Sequence, residues 1–218
     1  MLESQEIINK TLEVYKKCEM RSFPIDCIKI IKGLGIPLFK YSELTDPKKK
    51  KCLQISIDAF TLQGVIFYND TFPHKERQRF SLMHEVGHIV LEHVGTCEEN
   101  EKEADFFASQ ILVPRAIMHH LDCYSVKEVC YTFNVSCMAA NRIVNEYKTY
   151  SPGENLNLHK NICDWFFPRN LHPTPNQSKL EPEYNEEYFT FFDTRRFLIG
   201  EVCIFEHSEH YHLHGYNS

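Results

Sequence analysis

The sequence has no run of about 18 apolar residues, the length that a membrane-crossing helix needs, so the expectation is a protein that spans no membrane. It also lacks any excess of positive charge. Its 24 lysines and arginines are outnumbered by 30 acidic residues, for a net charge of −6. That balance speaks against a general binder of nucleic acid or of membrane surfaces. Cys-x-x-Cys spacing is missing as well: the nine cysteines, at 18, 27, 52, 97, 123, 130, 137, 163 and 203, are scattered and odd in number. Disulfide scaffolds are short and secreted, so reduced thiols in a cytoplasmic protein are expected here. The opening residues, MLESQEIINK, carry neither the basic region nor the apolar stretch of a secretion signal, which points the same way. Internal repeats and low-complexity tracts are absent too.

What is present is a globular composition, 43% hydrophobic and 25% charged over 218 residues. It suits one good-sized domain with an appendage, or two small ones. Apolar periodicity predicts helices over 3–18 and 24–33, with Gly33 and Gly35 ending the second. IPLFKY at 36–41 reads as a strand, and TDPKKKK at 45–51 as a turn running into a solvated lysine loop. Strands are expected at about 52–58 and 63–69, and the pieces fit a short antiparallel sheet. Helical pattern resumes over about 75–93, pauses at the polar GTCEEN, and returns over about 100–112 until Pro114 stops it. Further helices are expected up to 150, then a linker, SPGEN, at 151–155. The remainder, 156–218, reads as mixed, with strands near 187–192 and 196–206.

The chemistry concentrates in RFSLMHEVGHIVLEH. On a helix, residues four apart share a face, so His84 and His88 can hold one cation between them. Zinc takes imidazole nitrogen readily and favours four ligands. Glu85 is displaced by about 100° around the axis, poorly angled for a ligand and well placed for a base that takes a proton from a metal-bound water. Gly87 removes bulk between the histidines and would let another backbone or a substrate come near. Phe80, Met83, Val86, Ile89, Val90 and Leu91 make the flank apolar, which buries this helix and requires partners for its histidines.

A catalytic zinc site wants a third protein ligand. The following helix, EKEADFFASQILVP at 101–114, buries a face built from Ala104, Phe107, Ala108, Ile111 and Leu112. Glu101 falls roughly 50° from the centre of that face and Glu103 roughly 110° away on the other side, so Glu101 is the better ligand. Asp105, one turn further on, can accept a hydrogen bond from the ring N–H of a liganding histidine. Glu98, Glu99 and Glu103 are accounted for by an acidic first turn that favours the helix dipole.

These two segments, taken together, resemble the ImmA/IrrE-type metallopeptidases, whose pattern is HExxH followed by E-x-x-A-x-x-F-A and Leu-x-Pro. GVIFYND before the motif and VKEVCYTFNVSCMAANRI after it also fit, and the resemblance covers about residues 24–150. It implies zinc as cofactor, His84, His88 and Glu101 as ligands, and Glu85 as the catalytic carboxylate. It further implies a regulatory protease whose protein substrate is a helix-turn-helix repressor. Asp105 departs from the commonest pattern, where asparagine is expected; the hydrogen-bonding role survives that change. The expected fold is α+β: a small, mostly antiparallel sheet packed on a helical zincin-like core, with additional C-terminal helices and a mixed tail. The expected domains are 1–150, whose helical part 114–150 holds a helix-turn-helix-like pair, and a C-terminal extension of unknown role at 151–218.

Two further features compete for a function. Residues 125–148 read as two helices with a tight turn near Asn134. Lys127, Arg142 and Lys148 are offset by Asp122, Glu128 and Glu146, so helix packing is favoured over a partner-docking surface, and both over DNA binding. In the closing EHSEHYHLHGYNS, His210, His212 and His214 would share one face of an extended segment and could bind a metal. The residues thus support a cytoplasmic zinc-dependent endopeptidase. A non-cleaving zinc-containing module that sequesters a transcription factor, or a DNA-binding regulator, are the alternatives.

Overall fold

The computed structural model describes residues 2, 4–95, 97–148 and 156–168. Ile7, Ile8, Leu12 and Tyr15 recur at helical spacing, and α1 (Ser4–Lys17) buries them all. A second helix, α2 (Cys27–Leu34), starts where the Asp26 side chain accepts from the Lys29 N–H. It ends on Gly35, whose φ of 75° lets the Gly35 and Ile36 N–H groups close on Lys32 and Ile31 carbonyls. Gly33, expected to share that role, lies inside the helix instead. Its missing side chain makes room for Cys18, whose Sγ would stand 2.8 Å from a Cβ there.

The sheet differs from the expected one in two ways. Its three strands are β1 (Leu38–Lys40), β2 (Ala59–Leu62) and β3 (Val65–Tyr68), in the order β1-β3-β2. β2 and β3 form an antiparallel hairpin across Gln63 and Gly64, both at positive φ, as a two-residue hairpin turn requires. β1, however, runs parallel to β3, so the sheet is mixed. The second difference is the segment read as lysine loop and strand. Residues Asp46–Ile55 form α3, preceded by Thr45 with Pro47 in its first turn. Lysine is a good helix former, and only Cys52 of this helix is buried, so no apolar face marked the helix in advance.

α4 (Lys75–Val90) and α5 (Glu98–Leu112) form the centre of the fold. Leu82, Met83 and Val86 of α4 and Ala104, Phe107, Ala108 and Ile111 of α5 are buried in the common core. Full burial of a phenylalanine such as Phe107 is worth about 1.5–3 kcal/mol. Their approach depends on Gly87: a Cβ there would meet the Phe107 ring at 3.1 Å and the Ala104 Cα at 3.2 Å. Tyr15 ties α1 to the end of α5 by donating its hydroxyl to the Ile111 carbonyl at 2.7 Å.

The remaining helices close one side. α6 (Arg115–His120) follows α5 directly, and Arg115 is buried with its guanidinium on the Ser109 hydroxyl, two carbonyls and Glu146. α7 (Val126–Phe133) opens with a Ser125–Glu128 capping box. It turns through Asn134 in the left-handed region into α8 (Cys137–Tyr147), with Val129, Phe133, Ala140 and Ile143 turned into the core. α9 (Leu156–Phe166) packs back on α1 and α6: Phe166 meets the Tyr15 ring at 5.0 Å, and the Trp165 indole donates to the Met20 carbonyl at 2.7 Å. The fold is α+β, with helices dominating. The linker at 151–155, the strands near 187–192 and 196–206, and the histidine-rich end lie outside the described residues.

Candidate metal centre

His84 and His88 stand one turn apart on α4, their ring centroids 4.7 Å apart at 73°. Their Nε2 atoms approach to 3.0 Å. Glu101, in the acidic first turn of α5, arrives from the other side: its Oε2 lies 3.2 Å from His84 Nε2 and its Oε1 3.6 Å from His88 Nε2. All three residues offer ligand atoms within 4.8 Å of one another, and no other such cluster is found among the described residues.

The donor set fits zinc. Tetrahedral zinc with bonds of about 2.0–2.1 Å to nitrogen holds its ligand atoms about 3.3–3.4 Å apart, and the separations of 3.0, 3.2 and 3.6 Å bracket that value. Charge makes the same point. His84 Nδ1 lies 2.8 Å from Asp105 Oδ1, so its N–H belongs to that carboxylate and its Nε2 lone pair faces the cluster. The His84 Nε2 lone pair, His88 Nε2 and the Glu101 carboxylate then converge on one point, a donor set that a shared cation satisfies. The electrostatics of His84 follow. Burial pushes its pKa down, but the hydrogen bond and charge of Asp105, with Glu85 and Glu101, outweigh burial and leave it raised. His88 is lowered, first by burial and then by the positive charge of His84.

Glu85 is half-buried beside the cluster. Burial raises its pKa; the Thr61 hydroxyl and N–H, together with His84, oppose that rise. Thr61 sits on β2, the sheet edge packed against α4. Its Oγ1 is buried and reaches no partner at good hydrogen-bond geometry.

The helical wheel puts Glu101 and Glu103 on opposite flanks of α5; the structure brings Glu101 to the two histidines and buries Glu103, 6% exposed, on the other flank. Glu103 Oε2 lies 3.1 Å from His93 Nε2, and its Oε1 accepts the Leu2 N–H at 2.6 Å. A wheel built on the apolar residues of α5 cannot see that the end of α4 and the N-terminal segment cover the other flank. His93 was missed as well. Its Nδ1 lies 3.0 Å from His88 Nδ1, across a chain reversal that no glycine announces.

The model of the IrrE N-terminal-like domain (Peptidase_M78) matches residues 33–144, just over half of the chain. That span contains the sheet, α4, α5 and nearly all of the α7–α8 pair. No curated protein matches the chain. With the family's motif residues gathered into one His-His-Glu cluster, the chain belongs to the IrrE N-terminal-like family of metallopeptidase-type domains.

Proposed function

We propose that this protein is a zinc-dependent endopeptidase in which His84, His88 and Glu101 hold the metal and Glu85 is the general base. The observation that carries this reading is the convergence of three ligand atoms within 4.8 Å beside a half-buried carboxylate of raised pKa. When bound, zinc makes a coordinated water easier to deprotonate and polarises the scissile carbonyl. Glu85 accepts the proton of the attacking water and passes it to the leaving amine; a raised pKa suits a group that must both take and give a proton. Asp105 keeps the His84 ring turned with Nε2 toward the cluster. β2 is an edge strand next to Glu85, and an extended peptide can pair with it as an added strand.

The substrate in this reading is a protein, and the family resemblance favours a helix-turn-helix repressor cut as a regulatory event in the cytoplasm. Among the described residues no helix is long and apolar enough to cross a membrane. The charge balance in and around residues 125–148, with Asp122 included, supports packing rather than direct nucleic-acid binding.

Incubation of the metal-loaded protein with candidate repressors, with and without a chelator, tests the proposal. Cleavage products are expected from the loaded protein alone. Glu85→Gln should retain metal and lose about 10²–10⁴-fold in rate. Undiminished cleavage by that variant overturns the assigned base. A stable, uncut complex supports sequestration of a transcription factor instead.

A further inference from the structure

We propose that His93 and Glu103 are positioning residues of the metal centre, a buried pair that fixes the ring of His88 so that its Nε2 faces His84 and Glu101. The inference rests on reading that cluster as a metal site.

Backbone geometry creates the contact. α4 stops in a Schellman motif: the His93 N–H closes on the His88 carbonyl at 3.0 Å and the Glu92 N–H on the Ile89 carbonyl at 3.2 Å. The residue in the left-handed position is Glu92, at φ 56°, where glycine is usual. The reversal folds His93 back over the last turn and sets its ring edge-on to that of His88, centroids 5.1 Å apart at 74°.

The hydrogen-bonded order Glu103, His93, His88 then gives each ring its tautomer in this proposal. Both oxygens of Glu103 are acceptors, one for the Leu2 N–H and one for His93 Nε2–H. With its proton on Nε2, His93 presents a lone pair at Nδ1. His88 must therefore donate its own Nδ1–H across the 3.0 Å contact, which leaves His88 Nε2 bare toward the cluster. This is the orientation and tautomer that a liganding histidine needs.

The two ligands are supported differently. Asp105, which holds His84, is 46% exposed, whereas the side chains of His93 and Glu103 are 5% and 7% exposed. A buried imidazole–carboxylate pair adds little net stability compared with apolar residues of similar volume. Its value here lies in holding one ring angle.

The test is metal binding by the full chain, measured as Co²⁺ and Zn²⁺ titration against a competing chelator. The Co²⁺ visible spectrum reports ligand geometry, and thermal unfolding of the metal-free protein serves as control. Wild type should bind one ion, and His88→Ala should abolish that binding. His93→Leu should weaken affinity about 10–100-fold and shift the Co²⁺ bands, and His93→Gln, which keeps an acceptor for His88, should recover most of the loss. Glu103→Gln should also weaken binding, because an amide cannot accept at both of its terminal atoms. If His93→Leu does not fold, the comparison of His93→Gln with Glu103→Gln decides. Wild-type affinity and an unchanged spectrum in Glu103→Gln and in the folded His93 variants would overturn this inference alone. Absence of saturable binding by wild type would overturn the metal-centre reading and this inference with it.

Discussion

Gly87 of α4 lies directly against Ala104 of α5: a Cβ on Gly87 would stand 3.2 Å from the Ala104 Cα and 3.3 Å from its carbonyl oxygen. Backbone atoms cannot swing aside as a side-chain tip can. Alanine would gain about 1 kcal/mol of helix propensity over glycine, but here it must push the two helices apart. Gly87→Ala should therefore destabilise the protein by about 1–3 kcal/mol. Because α5 carries Glu101, metal affinity should fall as well. Urea unfolding and chelator competition measure the two effects; a stabilised variant would contradict the close approach.

Asp105 meets His84 at 2.8 Å and is about half exposed. Its loss should cost metal affinity more than stability. Asp105→Ala is expected to weaken metal binding about 10–100-fold. Asp105→Asn keeps an acceptor and gives up the charge, so it should fall between that variant and wild type. Equal affinities across the three proteins would remove Asp105 from the site.

Glu92 holds a left-handed conformation at φ 56° and its side chain is exposed. A non-glycine residue there carries a steric cost of about 1–2 kcal/mol, part of which glycine would return as unfolded-state entropy. Glu92→Gly should raise stability by about 0.5–1 kcal/mol, seen as a higher denaturation midpoint at unchanged slope.

His159 of α9 is buried, and burial, with the nearby His119 of α6, lowers its pKa. Below the ordinary imidazole value of about 6.5, the unfolded chain takes up a proton that the folded chain refuses. Stability contributed by neutral His159 is present above that pH and is lost as pH falls toward the lowered folded pKa. The melting temperature should therefore drop between about pH 7 and pH 5, and less steeply in His159→Gln. Equal slopes for the two proteins would show that another group sets the acid limb.

The legible parts of this fold share one property: their signals are local and strong. α4 and α5 carry apolar residues at helical spacing, α5 stops ahead of Pro114, and α2 stops at Gly35. α3 was illegible because its lysines have helix propensity but no apolar face, while the Leu53, Ile55 and Ile57 alternation beside them imitates a strand. The parallel placement of β1 could not be read from a three-residue strand, since pairing direction depends on the path of the intervening α3 and β2.

The site divides along the same line. Repetition every 3.6 residues places His84 and His88 on one side of a helix, and that much follows from covalent geometry and backbone hydrogen bonding within a few residues. Which acid of α5 meets them, and what stands behind each ring, depends on how two helices cross. Gly87 sets their separation, Leu2 covers Glu103, and the reversal at Glu92 returns His93 to His88. These are contacts between segments far apart in the chain or across a turn without a glycine signal. Burial and excluded volume decide them, and those quantities exist only once the chain is packed.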